Sequence, residues 1–130
     1  MVLVLVADDD QPVLEVVAAC LEARGHDVVA CGSGRAARSA MTEVAFEVAV
    51  LDILLPDLDG YELLRAAVRM DYGPRVLLMS AGGWRFAMDI LEVGQALGAD
   101  AVLEKPFLGG ALESVVDRLA GLGRRTIRER

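Results

Sequence analysis

The sequence predicts an α/β domain with a mostly parallel β-sheet and helices on both faces. Short, continuously apolar segments alternate five times with segments of helical periodicity. The sequence has no repeat longer than one strand and its helix, and it has no low-complexity segment or linker. Continuous hydrophobicity is typical of parallel strands that helices cover on both faces. The alternation favours right-handed crossovers within one sheet. At 130 residues, the chain is long enough for one domain with its own core.

Five apolar segments are predicted to be strands. They lie at residues 2–7, 27–31, 48–51, 75–80 and 101–104. Their length suits strands better than helices, and because they are apolar throughout, we expect all five to be buried on both faces.

A helical pattern follows each predicted strand, with apolar residues three or four positions apart. Pro12 suits the first turn of the first helix and Gly25 its end, while Ser33 is predicted to cap the second helix and Gly98 to end the fourth. The apolar residues that define the five faces are Val13, Val17, Cys20 and Leu21; Ala37, Ala40, Met41 and Val44; Leu63, Leu64, Ala67 and Val68; Phe86, Ile90, Val93 and Leu97; and Leu108, Leu112, Val115, Val116 and Leu119.

Composition narrows the classes of function. The net charge of −7 argues against non-specific binding of nucleic acid, which requires a basic surface. No apolar stretch is long enough for a membrane span or a signal peptide, so we expect a cytoplasmic protein without membrane contact. The basic stretch at residues 123–130 is expected to be a solvated tail beyond a domain of residues 1–122.

The chemically useful residues gather where the predicted strands end. In parallel α/β sheets, ligands bind beyond the carboxyl ends of the strands. The residues found there are, strand by strand, Asp8, Asp9 and Asp10; Gly32, Ser33 and Gly34; Asp52; Ser80 and Ala81; and Lys105 and Pro106. The sequence therefore predicts carboxylates, a hydroxyl and a lysine on one rim.

This combination suits the transfer of a phosphoryl group to a carboxylate. Asp8, Asp9 and Asp52 repel one another unless a cation lies among them, and Mg²⁺ prefers carboxylates and water as ligands. Lys105 and the Ser80 hydroxyl offer contacts to phosphate oxygens. An ionised aspartate needs no general base, so positioning and charge shielding suffice.

Four segments resemble the ordered motifs of the response-regulator receiver domain of two-component signalling. They are "VLVADDD", "VAVLDILLPDLDG", "LLMSA" and "EKPF", within a match from Leu3 to Leu119. The ordered set is specific, although no single motif is. The resemblance implies a flavodoxin-like (βα)5 fold, a doubly wound, five-stranded parallel sheet of order 2-1-3-4-5. It also implies a phosphoacceptor that catalyses its own phosphorylation and dephosphorylation, not a turnover enzyme.

The same resemblance implies roles for the residues on the rim. Asp52 would accept the phosphoryl group from a histidine kinase or a histidine phosphotransferase. Asp9, Asp52 and the backbone carbonyl of Leu54 would bind Mg²⁺ directly, and Asp8 would act largely through water. The residues that would contact the phosphoryl group or take part in the switch are Ser80, Ala81, Lys105, Val102 and Pro106.

Three features depart from the family pattern. Val102 stands where the family often has Tyr or Phe, which argues against an aromatic switch. The segment from Ser80 to Gly98 is longer than in compact chemotaxis regulators and contains Trp84, for which a recognition surface and a lid are both open. The chain ends after the fifth helix, so we expect a stand-alone receiver. Its unknown protein target, or a second copy, would use the fourth helix, fifth strand and fifth helix.

Three alternative functions stay open at this point. "CGSGRAA" resembles a dinucleotide fingerprint, with Asp52 following Gly32 by 20 residues, but it lies on the second strand. "DDD" is similar to the nucleophile motif of haloacid-dehalogenase-like Mg²⁺-dependent phosphatases, which would make Asp8 the nucleophile, although Asp100 and Glu104 do not form the late acidic pair. The third is a pseudo-receiver that is not phosphorylated.

Four polar residues have simpler expected roles. Asp10 is predicted to cap the first helix, and Asp57 and Asp59 to serve as turn and cap residues. His26 follows Gly25 in a turn and is expected to be solvated and without a partner.

Overall fold

Strands and helices alternate as predicted within the part of the chain that the structure describes. The computed structural model describes residues 2–81, 92–105 and 110–126, so the predictions for Trp84, Phe86, Ile90, Pro106 and Leu108 lie outside the described residues. The elements are β1 (Leu3–Ala7), α1 (Gln11–Ala23), β2 (Asp27–Cys31), α2 (Gly34–Glu43), β3 (Val48–Asp52), α3 (Gly60–Arg69), β4 (Arg75–Ala81), α4 (residues 92–96), β5 (Ala101–Lys105) and α5 (Ala111–Leu122).

The five strands form one sheet in the order β2-β1-β3-β4-β5, and all four pairings are parallel. The predicted doubly wound, flavodoxin-like fold is therefore confirmed. The carboxyl ends of β1 and β3 lie side by side at the centre, with Ala7 paired to Leu51. At the carboxyl end of β4, Asp52 pairs with Met79, and Ala81 pairs with Lys105.

The core lies in two layers, one on each face of the sheet. Alternate residues of a strand point to opposite faces, so Leu5 packs in one layer and Val6 in the other. The layer against α2 and α3 is completed by Ala37, Met41, Leu63, Leu64 and Ala67, and the layer against α1 and α5 by Leu14, Val17, Leu21, Leu112, Val116 and Leu119.

The prediction that every strand is buried on both faces is wrong at the edges. β2 and β5 are the edge strands. In β2, Asp27, Val29 and Ala30 are exposed, and β5 is mostly half-buried. An apolar run therefore identified these strands, but it could not show that helices leave part of them uncovered.

The predicted helix caps are confirmed. Asp10, Ser33 and Asp59 each accept a hydrogen bond from the backbone N–H three residues later, at 3.4, 3.1 and 3.0 Å respectively. Each bond satisfies one of the free N–H groups in the first turn of a helix. Asp57 is also a cap, but it caps α2 instead of its own helix.

His26 is buried, so the expectation of a solvated histidine without a partner is wrong. Its side chain is 7 % exposed, and its Nε2 lies 2.7 Å from Oδ1 of Asp117 on α5. Arg24 Nη1 donates to the other oxygen of Asp117 at 2.7 Å. The turn after α1 is thereby joined to α5 by a carboxylate that lies 91 residues further along the chain.

The expectation of a solvated tail is wrong at Arg125, which is only 4 % exposed, whereas Arg124 and Thr126 are exposed. Nη2 of Arg125 donates to Oδ2 of Asp100 at 2.7 Å and also bonds the carbonyl oxygen of Gly98. Its backbone N–H donates to the carbonyl oxygen of Gly73 at 2.8 Å. The chain just after α5 is thus docked against the amino-terminal end of the sheet. Of the helices described, none is sufficiently long and apolar to cross a membrane.

Candidate functional site

Three aspartates meet at the carboxyl ends of β1 and β3. Asp8, Asp9 and Asp52 each offer a carboxylate oxygen, and these oxygens lie within 4.8 Å of one another. Asp8 is fully buried and Asp52 is 4 % exposed, whereas Asp9 is exposed. Two carboxylates of the cluster are therefore buried, and one is accessible to solvent. We call Asp8, Asp9 and Asp52 the acidic cluster.

Lys105, at the end of β5, places its ammonium group on the buried side of the acidic cluster. Nζ donates to Oδ2 of Asp8 at 2.6 Å and lies 3.4 Å from Oδ2 of Asp52. Burial alone would lower the pKa of Lys105. The hydrogen bond to Asp8 and the negative charges of Asp52 and Asp8 outweigh burial, so the pKa is raised. The lysine is thus firmly held as a cation.

For Asp52, in contrast, the effect of burial on the pKa outweighs the favourable interactions of the charged form. Burial raises the pKa of its carboxyl group, and the negative charge of Asp8 adds to this effect. The positive charge of Lys105 and the N–H of Leu54, which donates to Oδ1 at 3.2 Å, lower it but do not cancel the shift. The Asp52 carboxyl group therefore holds a proton more tightly than an exposed aspartate does.

The three consecutive aspartates of the sequence have different surroundings. Asp8 accepts the backbone N–H of Asp10 at 2.9 Å and the Lys105 ammonium on its other oxygen. Asp9 is exposed to solvent, with a carboxylate oxygen within 4.8 Å of those of Asp8 and Asp52. Asp10 caps α1. Asp8 and Asp9 thus belong to the acidic cluster, whereas Asp10 begins the helix.

Ser80 lies at the end of β4, one residue beyond Met79, the strand partner of Asp52. It is 1 % exposed, and within the described part of the chain its Oγ has no hydrogen-bond partner. A buried polar group without a partner is uncommon. The Ser80 hydroxyl is therefore available to form a hydrogen bond with a ligand.

The other predicted site residues are spread more widely. Ala81 is the last residue of β4 and pairs with Lys105. The Leu54 side chain is exposed. Val102 is half-buried in the core layer against α3, near Gly94 of α4, where an added Cβ would lie 3.3 Å from a Val102 methyl group. Val102 is therefore a packing residue under α4.

The pKa shift of Asp52 predicts a pH-dependent stability. Because the folded state holds this proton more tightly than the unfolded chain, the free energy of unfolding should fall as the pH rises from about 4, near the ordinary Asp value, through the raised pKa. Asp52→Asn should remove this loss and stabilise the metal-free protein at pH 7 by about 1 kcal/mol. Urea unfolding in EDTA at several pH values measures the free energy of unfolding of both proteins. Parallel pH profiles for the wild type and Asp52→Asn would contradict the assignment.

The family model described as "Response regulator receiver domain" matches residues 4–117. The chain therefore belongs to the response-regulator receiver domain family. Members of this family are phosphoacceptors that bind Mg²⁺ at an acidic pocket and interact with histidine kinases and downstream targets; they are not conventional enzymes.

Curated relatives and solved structures agree with this membership. The transcriptional regulatory protein TrcR of Mycobacterium tuberculosis is 38% identical over 124 residues, which are 95% of this chain and 46% of TrcR. The regulatory protein VanRc of Enterococcus gallinarum is 33% identical over 80% of this chain and 43% of its own length. The chain thus spans about half the length of the curated relatives it matches.

Two receiver structures show the same architecture. A response regulator from Chloroflexus aurantiacus superimposes with a TM-score of 0.83 at 27% identity, covering 92% of this chain and 98% of that chain. The chemotaxis response regulator CheY4 of Vibrio cholerae gives a TM-score of 0.81 at 25% identity, with the same coverage.

Family membership decides against the dinucleotide-binding and phosphatase alternatives. The structure also explains the second glycine of "CGSG", Gly34, by packing instead of by dinucleotide binding. A Cβ on Gly34 would lie 2.1 Å from the carbonyl oxygen of Leu58, so this position must be glycine to let α2 pack against the loop after β3.

Proposed function

We propose that this chain receives a phosphoryl group on Asp52 from the phosphohistidine of a histidine kinase or histidine phosphotransferase, and that it signals through phosphorylation-dependent protein contacts. The observation that carries the proposal is the Lys105 ammonium that joins buried Asp8 to buried Asp52, beside the exposed carboxylate of Asp9. A nucleophile, a fixed cation and a solvent-facing ligand are thus adjacent in a receiver fold.

The proposed reaction is an in-line displacement. An oxygen of the Asp52 carboxylate forms a bond to phosphorus while the bond from phosphorus to the imidazole nitrogen breaks. The electron pair of that bond stays on the imidazole. Lys105 holds one phosphoryl oxygen, and the Ser80 Oγ–H, which is buried and unpartnered among the described residues, donates to another. Positioning and charge compensation carry such a transfer.

The acidic cluster fits Mg²⁺. Three carboxylates face one ammonium, which leaves a formal surplus of negative charge, and hard oxygen ligands are what Mg²⁺ prefers. We assign Asp9, Asp52 and the Leu54 carbonyl as direct ligands, and Asp8 as a ligand through water. When bound, the ion would neutralise charge on the phosphoryl oxygens.

Intact mass spectrometry after incubation with acetyl phosphate tests the proposal. With Mg²⁺ we expect an adduct of about 80 Da, the mass of one phosphoryl group, and we expect none in EDTA or in Asp52→Asn. Asp8-dependent hydrolysis of a generic phosphate ester would instead support a phosphatase. A protein that neither binds Mg²⁺ nor gains the adduct would be a pseudo-receiver.

We further propose that this receiver domain works in the cytoplasm and contacts proteins instead of nucleic acid, as the net charge of −7 favours. The target or a second copy would bind at α4, β5 and α5. Sedimentation with and without beryllofluoride, an analogue of the phosphoryl group, tests the dimer.

We predict slow loss of the phosphoryl group, with a lifetime of minutes or longer. Leu54, two residues after the phosphoacceptor, is apolar and 57 % exposed, so its side chain cannot orient an attacking water. Leu54→Asn, which adds such a group, should shorten the lifetime about tenfold. Release of phosphate from the purified adduct measures both proteins, and a wild-type lifetime of seconds would refute the prediction.

A further inference from the structure

We infer that Asp57 is a positioning residue that fixes the backbone of the loop between β3 and α3, residues 53–59, where Leu54 offers its carbonyl to the cation. The inference rests on the proposed function, because it concerns a ligand of the proposed Mg²⁺ site. Asp57 itself lies outside the acidic cluster and has a different set of contacts.

The Asp57 carboxylate reaches across to α2. Oδ1 accepts the backbone N–H of Gly34 at 2.9 Å, and Oδ2 accepts the backbone N–H of Arg35 at 3.0 Å. These N–H groups belong to the first turn of the helix, which has no internal partners for them and favours a negative charge. The hydrogen bonds from Arg35 and Gly34 lower the pKa of Asp57, so its carboxyl group forms this contact in the ionised state.

The loop is packed closely where Asp57 holds it. An added Cβ on Gly34 would lie 2.1 Å from the Leu58 carbonyl oxygen. At the other end, Gly60 donates its N–H to the Ile53 carbonyl oxygen at 3.0 Å, and an added Cβ there would lie 2.6 Å from the Asp52 carbonyl oxygen. The loop therefore closes on itself and packs closely against α2.

Leu54 is held from both sides by this arrangement. Its neighbours Ile53 and Leu55 are buried, 3 % and 6 % exposed, while Leu54 itself is exposed. Its N–H donates to the Asp52 carboxylate. Asp57, three residues later, is a polar anchor from this exposed turn to a helix. Without that anchor, the peptide carrying the Leu54 carbonyl would gain freedom that cation binding must remove.

Asp59 provides a matched control. It lies in the same loop, is also an exposed aspartate, and also caps a helix, but it bonds the N–H of Glu62 in its own helix, α3. Replacing either residue removes one negative charge and one cap. Of these two aspartates, Asp57 is the one whose carboxylate bonds α2.

Calorimetric titration with Mg²⁺ alone, on the full chain, tests the inference. We expect Asp57→Ala to weaken binding about tenfold, the lower end of the loss typical when a group that orients a metal ligand is removed, and Asp59→Ala to bind like the wild type. Asp57→Asn keeps one acceptor oxygen and should fall between. The difference should persist at high salt, where a purely electrostatic effect of the lost charge is screened.

Hydrogen exchange of the metal-free proteins gives a second readout. The amide of Leu54 should exchange faster in Asp57→Ala than in Asp59→Ala. Equal Mg²⁺ affinities and equal Leu54 exchange in these two variants would overturn the inference and leave the proposed function intact. A wild type that does not bind Mg²⁺ would overturn the proposed function, and the inference with it.

Discussion

Lys105→Met is expected to slow the phosphorylation of Asp52 by acetyl phosphate at least about 100-fold, the loss typical when one preorganised donor to a developing charge is removed. Nζ contacts the carboxylates of both Asp8 and Asp52, so it is already placed where the phosphoryl oxygens would arrive. Methionine preserves the length and the packing of the stem. The rate is measured by intact mass against time at saturating Mg²⁺.

Lys105→Arg is the matched variant. It keeps the positive charge but spreads it over a planar group, which does not fit the 2.6 Å contact of a compact ammonium with Asp8. We expect a rate between those of the wild type and the methionine variant. A methionine variant that is folded, binds Mg²⁺ and reacts at the wild-type rate would show that Lys105 does not take part in the transfer.

Asp100→Ala is expected to lower the free energy of unfolding by about 3 kcal/mol, as breaking a buried ion pair commonly does. Asp100 accepts from Arg125 at 2.7 Å, from Arg75 at 3.4 Å and from the backbone N–H of Val76 at 2.8 Å. The side chain of Arg125 is 5 % exposed and that of Arg75 is 12 % exposed. Removing the carboxylate leaves both guanidinium groups without their shared anion in a site with little water.

Urea unfolding of the metal-free proteins measures this loss. Arg38→Ala, which truncates an exposed arginine on α2, serves as the control and should change the free energy of unfolding by less than about 0.5 kcal/mol. Asp100→Asn keeps an acceptor without the charge and should give an intermediate value. If Asp100→Ala were no more destabilising than the control, the buried network would not anchor the chain after α5.

The sequence predicted which residues meet at the site because a parallel sheet brings all its carboxyl ends to one edge. Asp8 and Lys105 are 97 positions apart, yet each lies at the end of an apolar segment, and this placement predicts that they share one edge of the sheet. The pattern could not predict that Lys105 would lie closer to Asp8 than to Asp52. That preference depends on side-chain reach across β4, which an apolar pattern does not encode.

Other predictions from the sequence were wrong or incomplete because they also depended on side-chain contacts between distant residues. Arg125 lies in a basic stretch that suggests solvation, but its guanidinium is buried because carbonyl groups and Asp100 receive it. His26 and Asp117 are 91 residues apart, and they meet because α1 and α5 pack on the same face of the sheet. Asp57 was correctly predicted to cap and turn, whereas the helix that it caps is set by the close approach of Gly34 to Leu58.

The most direct test of the central claim is to locate the phosphoryl group in the wild-type protein, since Asp52→Asn also alters the contacts of Lys105. Borohydride reduces an aspartyl phosphate to homoserine, which marks the modified residue permanently. After reaction with acetyl phosphate and Mg²⁺, peptide mapping should find homoserine at position 52. Homoserine at position 8 or 9, or no homoserine in a protein that carries the adduct, would contradict the assignment of Asp52 as the phosphoacceptor.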